Sequence, residues 1–233
     1  MNPDLIIGYK ESNKMSELNH TYSEKEERLN IITHAFGLVL SGLSFPFLIL
    51  KAMRFDGFWK PASFIIYGLS LLILYSASTF YHAAKNPKAR RRLNIFDHAA
   101  IYILIAGTYT PFTIITLEGS TGWIIFGLTW IFALIGVVLK LFFTGRFDKL
   151  STIMYVLMGW QVVFAINPLL ENLATEGLQL LFAGGIFYTI GAILYSIKKI
   201  PYNHVIFHVF VLLGSVSHFL SVCYYIAVRT LIF

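Results

Sequence analysis

His204 and His208 stand four residues apart in IPYNHVIFHVF, near the end of the chain. On a helix this spacing stacks two imidazoles one turn apart on the same face. Ser78 and His82 repeat the spacing in SASTFYH, and Asp97 sits in the run FDH. Three neutral imidazoles and a nearby carboxylate suggest catalytic zinc, which typically takes three protein ligands and keeps a fourth position for water. His204 and His208 would supply two ligands from one helical face, and His82 the third. Asp97 would hydrogen-bond the water and accept its proton, while Ser78 would orient that water or a substrate carbonyl. Zinc would bring the pKa of the water to about 7, which makes it a usable nucleophile. Alone, the His204/His208 pair is explained more readily by hydrogen bonds to neighbouring helices. The choice turns on whether His82 and Asp97 reach the same level.

The elements that must bring them there are membrane helices. Of the 233 residues, 57% are hydrophobic and 13% charged, against roughly 45–50% and about 25% in soluble proteins. Apolar runs fall at about 31–52, 61–84, 95–116, 122–142, 151–169, 178–197 and 202–228. Each approaches the ~20 residues that cross a hydrocarbon core. Backbone groups in lipid must be satisfied internally, and the period-2 alternation of a membrane barrel is missing. The expected fold is therefore an all-α integral membrane protein, a seven-transmembrane helix bundle. Short connections make sequential helices antiparallel neighbours. The organisation is a polar tail, 1–22, followed by one seven-span domain, 23–233. The tail has no secretory signal, so a multi-pass protein of the cell membrane is expected. A single cysteine, Cys223, excludes an intramolecular disulfide and a cysteine-based metal site.

Lysine and arginine in the connections set the expected direction. One side holds Lys10, Lys14, Lys25 and Arg28 of the tail and Lys85, Lys88, Arg90, Arg91 and Arg92 of the 2–3 loop. It also holds Lys140, Arg146 and Lys149 of the 4–5 loop and Lys198 and Lys199 of the 6–7 loop, fourteen in all. The other side holds Lys51, Arg54, Lys60 and Arg229. The N-terminus is thus expected in the cytoplasm and the C-terminus outside, opposite to G-protein-coupled receptors. The net charge of +6 then reflects topology and anionic lipid headgroups at the basic loops, KNPKARRR above all, and not nucleic acid.

On this map His34, Ser78, His82, Asp97, His98, His204 and His208 all fall in the cytoplasmic leaflet, on four spans. Ionisable groups at such a depth are expensive and mark a functional site by default. Ser23 and Glu26 match a capping box. A continuous helix from there sets Glu27, Asn30 and His34 along one stripe, as a structural polar cluster closing the mouth or with a direct chemical role. His98 points roughly 100° away from Asp97 around the helix and reads as interfacial or supporting. His218 reads as a bundle-packing histidine, and His20 as solvated tail. Asn167-Pro168 is expected to end span 5, Gln161 to hydrogen-bond between helices, and Trp59 and Trp123 to suit the outer interface.

Taken in order, EERLNIITH, SASTFYH, FDH and HVIFH resemble the Glu-x-x-Asn-x-x-x-His, Ser-x-x-x-His, Asp and His-x-x-x-His signatures of a known family. It is the hemolysin III branch of the progestin and adipoQ receptor family, whose superfamily includes alkaline ceramidases and adiponectin receptors. The resemblance runs from about Glu24 to the last span. It implies zinc held by His82, His204 and His208 and a water linked to Asp97. It also implies Ser78 nearby, as in the ceramidase-like members, and a first-span motif that does not supply the primary ligands. The long acidic N-terminal domain of the animal receptors is absent, so hormone binding is not implied. The expected function is a membrane-embedded zinc-dependent hydrolase of a lipid amide or ester, serving membrane-lipid homeostasis, its substrate entering laterally. The alternatives are a pore-forming hemolysin, disfavoured by seven spans without a secretion signal, and a zinc-stabilised sensor or receptor without turnover. The residues specify neither which lipid nor an oligomeric state.

Overall fold

A computed structural model describes residues 22–144 and 147–226, and every regular element within them is helical. Helix α1 spans Glu24–Ala52, α2 Trp59–Ala83 and α3 Pro87–Pro111, the last prolonged by a π-helical turn over Phe112–Thr116. Helix α4 spans Gly119–Phe143. The fifth span is broken into α5 (Asp148–Gly159), a 3-10 turn (Gln161–Ala165) and α6 (Ile166–Asn172). Helices α7 (Thr175–Ser196) and α8 (Asn203–Tyr225) complete the bundle. Seven segments are long and apolar enough to cross a membrane. The expected all-α, seven-span fold is what the chain adopts. His20 lies outside the described residues.

Helix α1 starts at Ser23, whose hydroxyl accepts from the Glu26 amide at 3.2 Å, and the first-turn acids Glu24, Glu26 and Glu27 favour the positive end of its dipole. Its inward face carries Asn30, His34, Gly37 and Ser41, while Ile32, Phe36, Val39 and Leu43 are exposed. Polar groups inside and apolar groups outside is the arrangement lipid demands, because only the bundle interior offers polar partners. Helix α3 is the hub. Within its most apolar stretch 83% of residues are buried, against 17% in the fifth span.

The helices close on α3 where glycine removes a side chain. A Cβ on Gly107 would strike Ser70, and one on Gly136 would strike Tyr102. At Gly122 the obstacle is the backbone carbonyl of Thr113, which no rotamer change can clear. Gly122→Ala is therefore expected to destabilise the bundle by about 1–3 kcal/mol. Gly127→Ala, with nothing within 4 Å of its new methyl, serves as the control in thermal unfolding of the detergent-solubilised protein.

The break in the fifth span is bridged by side chains. The Tyr109 hydroxyl donates to the Gly159 carbonyl at 2.7 Å and accepts from the Val162 amide at 2.8 Å. The Trp160 indole N–H donates to Thr189 Oγ1 at 3.0 Å. Irregular backbone at membrane depth is tolerated where the protein itself supplies such partners. Gln161 makes the interhelical bond expected of it, accepting from Thr129 at 2.7 Å. The Asn167-Pro168 reading needs correction. Pro168 sits in the first turn of α6, where a missing N–H costs nothing, and the helix runs on to Asn172.

A second correction concerns Lys140, counted above as a loop charge. Helix α4 continues to Phe143, and Lys140 lies inside it, only 2% exposed. Its long apolar stem lets an ammonium group sit against a cavity without ending the helix. At the end of the bundle away from the histidines, Trp59 and Trp123 meet edge to face at 5.1 Å beside the Lys60–Glu118 ion pair.

Candidate metal centre

Two contacts fix the antiparallel register of α1 on α2 at the site. Glu27 meets His82, and His34 meets Tyr75 edge to face at 5.1 Å, so seven residues up one helix match seven down the other. The one-turn spacing of His204 and His208 on α8 then points both rings at His82. All three are buried, and one nitrogen from each lies within 4.8 Å of the others. The separation between His82 Nε2 and His204 Nε2 is 3.1 Å. Two nitrogens on a tetrahedral zinc, at about 2.0–2.1 Å each, would stand roughly 3.3 Å apart. The donor set therefore fits a metal ion of that kind.

The far side of each ring is held by an oxygen. His82 Nδ1 lies 2.7 Å from Glu27 Oε2. A carboxylate only accepts, so this nitrogen carries hydrogen, and in the neutral ring that leaves the Nε2 lone pair for a ligand role. His208 Nδ1 lies 3.2 Å from Thr33 Oγ1, whose own hydrogen goes to the Leu29 and Asn30 carbonyls. Thr33 therefore accepts from His208 and leaves that ring's Nε2 free. His204 Nδ1 lies 3.0 Å from the Tyr22 hydroxyl. Burial pushes the Tyr22 phenol well above its usual pKa, so it remains a hydroxyl able to donate or accept. With a proton on His204 Nε2, that ring bonds directly to His82. A metal held at Nε2 would require the proton on Nδ1, which the Tyr22 hydroxyl could accept. This one oxygen suits both tautomers.

Glu27 is itself anchored. Its second oxygen pairs with Arg90, whose guanidinium also caps the end of α2 through the carbonyls of Tyr81 and His82, each at 3.4 Å, and lies 4.7 Å from the Tyr81 ring centre. A carboxylate that orients a ligand histidine fixes its tautomer and raises its basicity, and its loss typically costs 10–100-fold in metal affinity. Glu27→Gln is expected to weaken metal binding by about that factor, and Arg90→Gln by less, because it acts through Glu27. Competition against a chelator of known affinity measures both.

The remaining sequence candidates take several different places. Asp97 is buried on the wall of a cavity of about 130 Å³ that His34, His204 and His208 also line. Ser78 is fully buried one turn from His82, and its hydroxyl has no partner among the described residues. His34 stacks on His208 with ring centres 3.4 Å apart and planes within 14°. Neither its nitrogens nor the amide of Asn30 have described partners. His98 is not among the three converging rings; its Nδ1 bonds the Asn94 carbonyl at 2.9 Å. His218 packs between α7 and α8, with Nε2 donating to the Leu181 carbonyl at 3.0 Å.

As members of the site, Tyr22, Thr33 and Arg90 escaped the sequence reading, which took Arg90 as a loop charge. None stands at a motif spacing, and a tyrosine, a threonine or one arginine in a basic run carries no metal signal of its own. Tyr22, the last residue of the expected tail, proves to be part of the site.

The sequence profile described as haemolysin-III related matches residues 22–219. The chain belongs to the haemolysin III family. It is 46% identical to Hemolysin-3 of Bacillus cereus over 202 residues, which cover 87% of this chain and 92% of that protein. The Hemolysin-3 homolog of Bacillus subtilis (strain 168) is also 46% identical, over 204 residues covering 88% and 96%. The human Monocyte to macrophage differentiation factor is 26% identical over 210 residues, 86% of this chain and 84% of that protein. The haemolysin III match begins at Tyr22 and takes in all three converging histidines, Glu27 and Asp97.

Proposed function

We propose that this haemolysin III protein is a membrane-embedded, zinc-dependent hydrolase that cleaves a lipid amide or ester and serves membrane-lipid homeostasis. The observation that carries the reading is the convergence of His82, His204 and His208 on one point beside an apolar cavity that also presents Asp97. Three neutral imidazoles with oxygens on their outer nitrogens form the ligand set of a catalytic rather than a closed structural zinc site. When bound there, zinc supplies Lewis acidity and an activated water.

The chain's own groups divide the remaining work. Glu27, Thr33 and Tyr22 hold the three rings in register. The apolar wall, with Leu104, Ile105 and Val211 among its residues, takes the acyl chain and excludes bulk water. Asp97 accepts a proton from the attacking water at a carboxylate oxygen and returns it to the leaving amine or alkoxide. The Ser78 hydroxyl, lacking any described partner, donates to the substrate carbonyl as negative charge develops on it. Substrate reaches the cavity sideways from the bilayer, where its chain already resides.

The same reading sets the histidine end toward the cytoplasm. Lysine and arginine favour that side thirteen to four once the buried Lys140 is set aside.

The test uses purified protein with defined N-acyl and ester lipids, with released fatty acid as the readout. Product that appears with wild type and vanishes on chelation and in His208→Ala supports the hydrolase. Stoichiometric zinc with no product from any lipid identifies a sensor without turnover and sinks the hydrolase.

A further inference from the structure

A second, smaller cavity continues the first toward the far end of the bundle. It has a volume of about 40 Å³, and the two share Thr108, Tyr109, Gly159, Trp160, Gly185 and His218. Along α3 and the turn that prolongs it, the first runs from Asp97 to Tyr109 and the second from Thr108 to Leu117, about 18 Å and about 13 Å by helical rise. The shared residues thus stand at the boundary between two adjoining chambers, the first of which His34, His204 and His208 also line.

This boundary is built, not incidental. The Trp160 indole is pinned by its N–H to Thr189 at 3.0 Å and packs near Phe182, with ring centres 6.1 Å apart. Its outer edge lies over Gly185, 3.8–3.9 Å from where a Cβ would stand. Tyr109 reaches across from α3 to bond both sides of the break in the fifth span. The break turns Trp160 inward: a helix continued without interruption would have no reason to leave the Gly159 carbonyl to a tyrosine. Beyond this layer the second cavity is again largely apolar, lined by Phe112, Leu117, Ile125 and Leu169 among others. An apolar chain that entered it would gain burial, and Trp160 and Tyr109 stand in its way.

We propose that Trp160, seated over Gly185, is the end-stop of an acyl-binding chamber and sets the length of acyl chain this protein accepts. The inference rests on the reading of the first cavity as the acyl site of a lipid substrate. It makes Trp160 a specificity-determining residue rather than a catalytic one.

The experiment measures binding of a homologous series of saturated fatty acids to full-length detergent-solubilised protein by native mass spectrometry. Each methylene that enters an apolar chamber strengthens binding by about fourfold. Wild type is expected to show that increment up to a limiting chain length and a plateau beyond it. Trp160→Ala joins the chambers and moves the plateau to longer chains. Gly185→Leu fills the end of the first chamber and moves it to shorter ones. Trp160→Phe, a milder change, gives a smaller lengthening and replaces the alanine variant if that one fails to fold. A plateau at the same length in wild type, Gly185→Leu and the Trp160 variants overturns the proposal, as does binding without chain-length dependence. Because the readout is binding, a shifted plateau without hydrolysis refutes the proposed reaction and leaves the end-stop standing. Hydrolysis with an unshifted plateau does the reverse.

Discussion

His208→Ala is expected to strip zinc from the purified protein and abolish lipid hydrolysis. A structural zinc set is worth roughly 10–16 kcal/mol in apparent binding energy. Losing one of three ligands forfeits of order a third of that, so affinity falls by about 10²–10⁴-fold. The effect is larger than for Glu27→Gln because a ligand is lost and not merely its orientation. His208 is 1% exposed and clasped between the His34 ring and Thr33, so alanine there also leaves a small void. Elemental analysis beside far-ultraviolet circular dichroism separates the two effects, since the bundle's packing on α3 lies elsewhere. His218→Ala is the matched control. It too removes a buried histidine, but one bonded to Leu181 and absent from the converging group. Retained zinc in His208→Ala would remove the metal centre from this part of the molecule.

Asp97→Asn is expected to leave zinc content unchanged and lower turnover by about 10²–10⁴-fold, the usual contribution of a positioned general base. Asparagine keeps the shape of the side chain and its place on the cavity wall, but an amide cannot take a proton from water. The pairing of intact metal with lost turnover is the discriminating result. Loss of metal in this variant would make Asp97 a ligand, and unchanged turnover would take the proton transfer away from it.

These expectations draw unequally on sequence and structure. Membrane helices were legible because lipid leaves the backbone no alternative, and runs near 20 residues announce themselves in composition. The histidine centre was legible for a related reason. Ionisable groups are so costly in apolar surroundings that their depth alone sets them apart, and charge counting put His82, Asp97, His204 and His208 at one depth. Glu27 was visible only as one member of an ambiguous stripe. Its bond to His82 depends on the register of α1 against α2, which no local spacing encodes.

Lys140 shows where composition misleads. A lysine near a span end reads as a loop charge, yet its burial in α4 depends on a cavity made by other helices. Pro168 misled similarly, because proline ends a helix in its interior but not in its first turn.

The seven helices, the membrane setting and the three ligand-type histidines could all be read from residue order, since each follows from the cost of polar groups in lipid. Which oxygen holds which ring, that Tyr22 and Arg90 stand at the site, and that Trp160 lines both cavities emerged from the folded arrangement alone. Those depend on side chains from different helices meeting within a few ångströms. Packing decides such meetings, and periodicity along one chain does not carry them.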